Sequence, residues 1–170
     1  AVDTVRRKYL DALSNYTKRP AIVYASRWMQ PDAIPNLVNI TSEDLEGFIE
    51  TAEEFEDENL DLIIHSPGGQ LEATETIVNY LRTKFKNIRV IIPHSAMSAA
   101  TLLAFSSNEI VMSSSSNLGP IDPQILIPYQ GTYIVVPAQA IIDEVEQGKK
   151  EIRENPSNLG IWAIKINNYW

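Results

Sequence analysis

The chain has 170 residues, 44% apolar and 21% charged, the profile of a soluble globular protein long enough to bury a sizeable core. Its 14 basic and 22 acidic residues leave a net charge of −8, so no basic stripe is at hand to neutralise phosphates, and nucleic acid is set aside as a partner. With no cysteine, disulfides, thiol catalysis and cysteine-ligated zinc are excluded, and any histidine chemistry must run through His65 or His94, the two histidines present.

Residues 3–16 read as an amphipathic helix with Val5, Tyr9, Leu10 and Leu13 on one side. AIVYAS, after Pro20, is a first strand, and Trp28 to Ile40, with Pro31 and Pro35, is a loop. Thr41-Ser42 followed by Glu43 and Asp44 signals a helix start, and the helix continues through Leu45, Phe48, Ile49 and Ala52. The pattern then becomes regular. LDLIIH (60–65) is a buried strand, SPGG a turn, and 71–85 an amphipathic helix. IRVIIP (88–93) is a second buried strand, 96–105 a second helix, and EIVM (109–112) a third strand. Strands that are apolar throughout and alternate with helices predict an α/β fold of βαβ units, with a parallel sheet covered on both faces.

Ser113 to Ser116 reads as a solvated loop, LGPIDPQ (118–124) as a rigid two-proline turn, and ILIPYQGTYIVVP as a β-hairpin about Gln130-Gly131. Residues 138–153 are helical, Asn155-Pro156 breaks that helix, and another begins near Leu159. No run approaches the roughly eighteen apolar residues that span a bilayer, and the N-terminus lacks the apolar stretch of a secretion signal. A cytoplasmic location is expected. The sequence stops at Trp170 inside an apparent helix, so residues 1–170 are taken as one domain cut at its C-terminal side, with membrane association left to a longer parent chain.

Two strand-to-helix junctions carry the chemistry. In His65-Ser66-Pro67-Gly68-Gly69, consecutive glycines permit a sharp turn and close approach to bare N–H groups at a helix start. Such donors suit an oxyanion hole, the bland alternative being an ordinary tight turn. One crossover later comes Pro93-His94-Ser95-Ala96-Met97-Ser98-Ala99-Ala100-Thr101. Small neighbours leave the Ser98 hydroxyl uncovered, next to the Ala99 N–H. A capping serine is the bland reading, and the glycine turn on the neighbouring strand shifts the choice toward a nucleophile.

HSPGG, PHSAMSAATLLAFSSNEIVM and LGPIDPQ, in this order, resemble the serine dehydrogenase proteinase family, of the Clp-protease and crotonase fold and related to signal peptide peptidase A. The match is most specific over residues 60–124. The resemblance implies a serine endopeptidase acting on polypeptide, with Ser98 as nucleophile, the N–H groups of Gly69 and Ala99 as oxyanion hole, and Gly68 shaping the turn. It also implies assembly into a homo-oligomer. The family pattern has glycine two residues after the nucleophile, where this chain has Ala100.

The base is left open between two branches. The Clp branch uses a histidine well downstream of the serine, and this chain has none beyond His94. The signal peptide peptidase branch uses a lysine just past a glycine, and Gly148-Lys149-Lys150 looks like that segment. Lys150 is preferred, with Lys149 beside it and His94 as the rival; solvated lysines at a helix end are the bland alternative. No metal ligand set is proposed, and there is no motif for ATP, flavin or pyridoxal phosphate. A second reading, from a different class, is a catalytically silent or acyl-CoA-handling scaffold on the same fold.

Overall fold

Four apolar segments build the central sheet of the first of two units into which the chain divides, residues 1–121 and 122–170. The computed structural model describes residues 2–129 and 131–167. In the first unit the elements run α1 (Val2–Thr17), β1 (Ala21–Ala25), α2 (Pro35–Val38), α3 (Asp44–Glu53), β2 (Asn59–His65), α4 (Leu71–Lys84), β3 (Asn87–Ile92), β4 (Ser95–Ala96), α5 (Ala99–Phe105), β5 (Glu109–Met112) and β6 (Asn117–Leu118). The main sheet is wholly parallel, in the order β1-β2-β3-β5. The stretch read as a loop before residue 40 contains the short helix α2.

Register explains the core. Side chains alternate across a strand, and the pairing aligns Ile22, Leu62, Val90 and Ile110 in one row, with Tyr24, Ile64, Ile92 and Met112 in the next. This face packs against Phe48 and Ala52 of α3, Ala73, Ile77 and Leu81 of α4, and Ala99, Ala100, Leu103 and Ala104 of α5. Strands added always in the same direction through right-handed crossovers put every crossover helix on one side. The expectation of a sheet covered on both faces is therefore corrected. The other face meets α1, whose Leu10 and Leu13 line a groove with Val23 and Ile63, and Val23 and Val111 stay 44% and 39% exposed. On that face Asp61, fully buried, is paired with Arg89 at 2.7 Å and with Arg19 at 3.0 Å, so the buried carboxylate is not left alone.

In the second unit an antiparallel hairpin, β7 (Gln124–Tyr129) and β8 (Thr132–Pro137), precedes α6 (Ala138–Glu154), a 3-10 turn (Pro156–Asn158) and α7 (Leu159–Asn167). Gln130 of the expected hairpin turn lies outside the described residues; Gly131 has φ +79°, the left-handed conformation that such a turn requires. Gly148 lets α6 and α7 approach closely, since a Cβ there would stand 2.7 Å from the Trp162 indole. That indole donates to the Glu151 carboxylate at 2.8 Å. No helix among the described residues is long and apolar enough to cross a membrane.

Candidate active site

The C-terminal ends of β2 and β3 lead into the two junctions singled out in the sequence, and the fold presses them together. After β2, Ser66 bridges to Ala96 of β4, and the Met97 amide donates to the Ser66 carbonyl at 3.0 Å. The Ser66 hydroxyl accepts the Gly68 N–H at 3.1 Å, closing the turn from inside. Gly68 has φ +93°, and a Cβ built on it would lie 2.5 Å from the Met97 carbonyl oxygen, 2.8 Å from the Ala99 nitrogen and 2.9 Å from Ser98 Cβ. Only glycine fits where one backbone lies directly on another in this way. Gly69 is flanked as tightly by Ile40, whose amide donates to the Gly68 carbonyl and whose carbonyl accepts from Gln70.

Ser98 sits at the turn from β4 into α5 with φ +50° and ψ −123°. A side chain held at positive φ costs energy and persists only where its surroundings impose it. Four restraints do so here. β4 pairs with Asn117–Leu118 of β6. The Thr101 hydroxyl donates to the Ala96 carbonyl at 2.8 Å and accepts the Gly119 N–H at 3.2 Å. Gly119 packs on Met97, a Cβ there falling 2.6 Å from the Met97 methyl. Gly68 closes the other side. The sequence LGPIDPQ thus contributes Leu118 and Gly119 directly to the support of the Ser98 turn.

The Ser98 side chain is exposed and makes no capping hydrogen bond, so the capping-serine alternative does not describe it. Its carbonyl accepts the amides of Thr101 and Leu102. Among the described residues, no hydrogen bond engages the amides of Gly69 or Ala99; Ala99 opens α5, where helical N–H groups have no partner of their own. Ala100 is fully buried in the core, so the methyl that departs from the family pattern is packed inward rather than toward solvent beside Ser98.

The two histidines lie next to each other at the strand ends, ring centroids 5.6 Å apart, with Trp28 5.8 Å beyond His65. His94 Nδ1 is 3.0 Å from the Ser95 hydroxyl, which donates to Asn117 at 3.2 Å. No hydrogen bond links His94 to Ser98 among the described residues. Burial and then the neighbouring His94 lower the His65 pKa below 6.5, against a smaller upward pull from the Ser95 backbone. Lys149 and Lys150 belong to α6 of the second unit. Lys149 pairs with Glu146 at 2.6 Å, whereas among the described residues no ion pair engages Lys150, which is exposed. Ser66, Ile40, Thr101 and Trp28 shape this region without having been singled out in the sequence; their roles depend on pairings between distant segments that local pattern does not carry.

A family model for ClpP-like SDH-type serine proteinases matches residues 6–160. An uncharacterized protein of Methanocaldococcus jannaschii is 37% identical over 145 residues, covering 84% of this chain and 48% of the relative. A second uncharacterized protein of that organism is 47% identical over 70 residues, or 41% of this chain and 24% of the relative. The chain therefore spans about half the length, or less, of the curated relatives it matches. Among solved structures, a serine-to-alanine mutant of the 1510-N membrane-bound stomatin-specific protease aligns with TM-score 0.50 and 24% identity, over 73% of this chain and 63% of that one, a likeness of fold. On the family match, which takes in both junctions, the chain belongs to the ClpP-like SDH-type serine proteinases.

Proposed function

We propose that this chain hydrolyses peptide bonds with Ser98 as nucleophile. The observation that carries the reading is the contact of Gly68 with the Met97-Ser98-Ala99 backbone, which sets an exposed, uncapped serine at positive φ beside two unengaged amides. Ser98 Oγ attacks the carbonyl carbon while its proton passes to the base. The Gly69 and Ala99 N–H groups receive the negative charge that develops on oxygen. Collapse expels the amine, which takes the proton from the base, and water then releases the acyl group from Ser98 by the same steps.

Lys150 is the base in this reading. Lys149 is ion-paired with Glu146, and among the described residues no hydrogen bond joins His94 to Ser98, its Nδ1 lying against Ser95 instead. A lysine accepts a proton only as the neutral amine, which burial favours. Lys150 is exposed in the free chain, so in this scheme bound substrate supplies the dry surroundings. The substrate is an extended polypeptide, and the working form is a homo-oligomer. The hairpin, with Leu126 65%, Tyr133 70% and Val135 57% exposed, offers an apolar surface for assembly. A fluorophosphonate probe tests the assignment. Labelling of the folded chain at Ser98, lost together with peptide turnover in Ser98→Ala, supports it; a folded chain that neither takes the label nor cleaves peptides overturns it.

A further inference from the structure

We infer that the buried hydroxyl of Thr101 is a positioning group for Ser98, fixing the stretch of chain that leads into the serine. Its kinetic consequence rests on the peptidase reading of Ser98, whereas its conformational consequence does not. Thr101 lies in α5 and is 1% exposed. A threonine inside a helix ordinarily returns its hydroxyl proton to a carbonyl one turn back. Thr51, Thr74, Thr76 and Thr83 do so, each donating to the carbonyl four residues before it. Thr101 does not. Its hydroxyl donates at 2.8 Å to Ala96, five residues back and outside the helix, in β4.

The backbone of Thr101 holds the other end of the same stretch, its N–H donating to the Ser98 carbonyl at 2.8 Å. One residue thus grips Ala96 with its side chain and Ser98 with its main chain, closing residues 96–98 into a ring. A tie to a distant segment completes it. The Gly119 N–H lies between two acceptors, the Ala96 carbonyl at 3.0 Å and the Thr101 hydroxyl oxygen at 3.2 Å. A hydroxyl has one proton, and the shorter contact directs it to Ala96 rather than to the Gly119 carbonyl at 3.2 Å. Its lone pairs then face the Gly119 N–H.

Loss of the hydroxyl orphans neither of its backbone partners. The Ala96 carbonyl keeps the Gly119 N–H, and the Gly119 N–H keeps that carbonyl. What disappears is the link from Ala96 to α5. The restraint that opposes relief of the positive φ at Ser98 is then weakened on that side, and the serine moves relative to the Gly69 and Ala99 amides. Misplacement of a reacting group, unlike weaker substrate binding, lowers kcat and leaves KM nearly unchanged.

The test compares Thr101→Ser with Thr101→Ala, which both lack the methyl and differ only in the hydroxyl, beside Thr101→Val, which keeps the volume and lacks the hydroxyl. The HN–Hα coupling of Ser98, measured by NMR, reports φ and needs no activity. It should hold its parent value in Thr101→Ser and change in Thr101→Ala and Thr101→Val. Peptide turnover should divide the same way. Where the hydroxyl is missing, kcat falls about tenfold to a hundredfold, the scale of a displacement of up to about 1 Å. KM stays within about twofold, and Thr101→Ser remains close to the parent. A merely structural role ranks the variants by packing instead, with Thr101→Val nearest the parent and the other two alike. That order, or a Ser98 coupling unchanged in all three, overturns the inference. A folded parent that neither cleaves peptide nor takes a fluorophosphonate label overturns the peptidase reading alone, and the Ser98 coupling still decides the role of Thr101.

Discussion

Gly68→Ala puts the support of the Ser98 turn to its most direct test. The added methyl would meet the Met97 carbonyl oxygen at 2.5 Å and the Ala99 nitrogen at 2.8 Å. Both are backbone atoms, and neither can swing aside as a flexible side chain does. Holding alanine at φ +93° costs about 1–3 kcal/mol, the range for a residue in a sparsely populated region. Forcing a methyl into a filled space costs about another 1–3 kcal/mol. Together these come to roughly 2–6 kcal/mol, a large part of the 5–15 kcal/mol that typically separates folded from unfolded states. Whatever relaxation occurs must move the Ser98 turn, and a displacement of about 1 Å there lowers turnover by about a hundredfold. Gly47→Ala is the matched control. It lies exposed in α3 with no atom within 4 Å of the new methyl, and should gain about 0.5–1 kcal/mol from the same chemical change. Urea unfolding followed by far-UV circular dichroism measures both. If the Gly68→Ala midpoint equals that of the parent or of Gly47→Ala, the close contact between the two junctions is wrong.

Other outcomes follow from the same geometry. Ser98→Gly should be more stable than Ser98→Ala in urea, because glycine relieves a strain of about 1–3 kcal/mol at φ +50° that alanine retains, while both variants lose turnover; equal stability would mean the turn is unstrained. Lys150→Ala should lower kcat by about two to four orders of magnitude, as removal of a general base does, and Lys149→Ala should leave it near the parent value; the reverse order would transfer the role to Lys149. His65 has a folded-state pKa below 6.5, so between those two values the unfolded chain binds more protons. Its contribution to stability is complete above pH 6.5 and is lost as pH falls through the lowered value. His65→Gln should flatten the melting temperature over that window relative to the parent, and an unchanged slope would refute the assignment.

Residues 60–65 and 88–93 are legible as parallel strands because each is a short, mostly apolar run bounded by helix, and the structure pairs them as neighbours, with Asp61 and Arg89 meeting as an ion pair. What periodicity does not carry is the order of strands, and with it the side on which helices fall. The half-exposed face bearing Val23 and Val111 follows from that order alone. Ser98 is legible as the start of a helix, but the sequence places that helix from residue 96, whereas α5 begins at Ala99. Ser95 and Ala96 are instead a rung of β4, since small residues carry no strand signal and their partners are Asn117 and Leu118. The glycine pair announced a sharp turn, but its packing against Ser98 and Ile40 is tertiary. The sequence prefers Lys150 over its neighbour Lys149, and what it does not carry is the ion pair that ties Lys149 to Glu146.

The strand order β1-β2-β3-β5 repeats the order of the chain, which bears on how the molecule is assembled during synthesis. Each strand of the main sheet joins one already made, so the sheet grows from its N-terminal edge as the polypeptide emerges, without waiting for later segments. The Ser98 turn departs from that rule. The residues that lock it, Asn117 and Gly119, follow Ser95 and Thr101 by 22 and 18 positions. A nascent chain therefore has its glycine turn before its serine is held at positive φ, and the strained conformation is imposed by the last residues of the first unit. A chain interrupted just before Asn117 keeps all four strands of the main sheet and lacks the means to hold Ser98 in its final geometry.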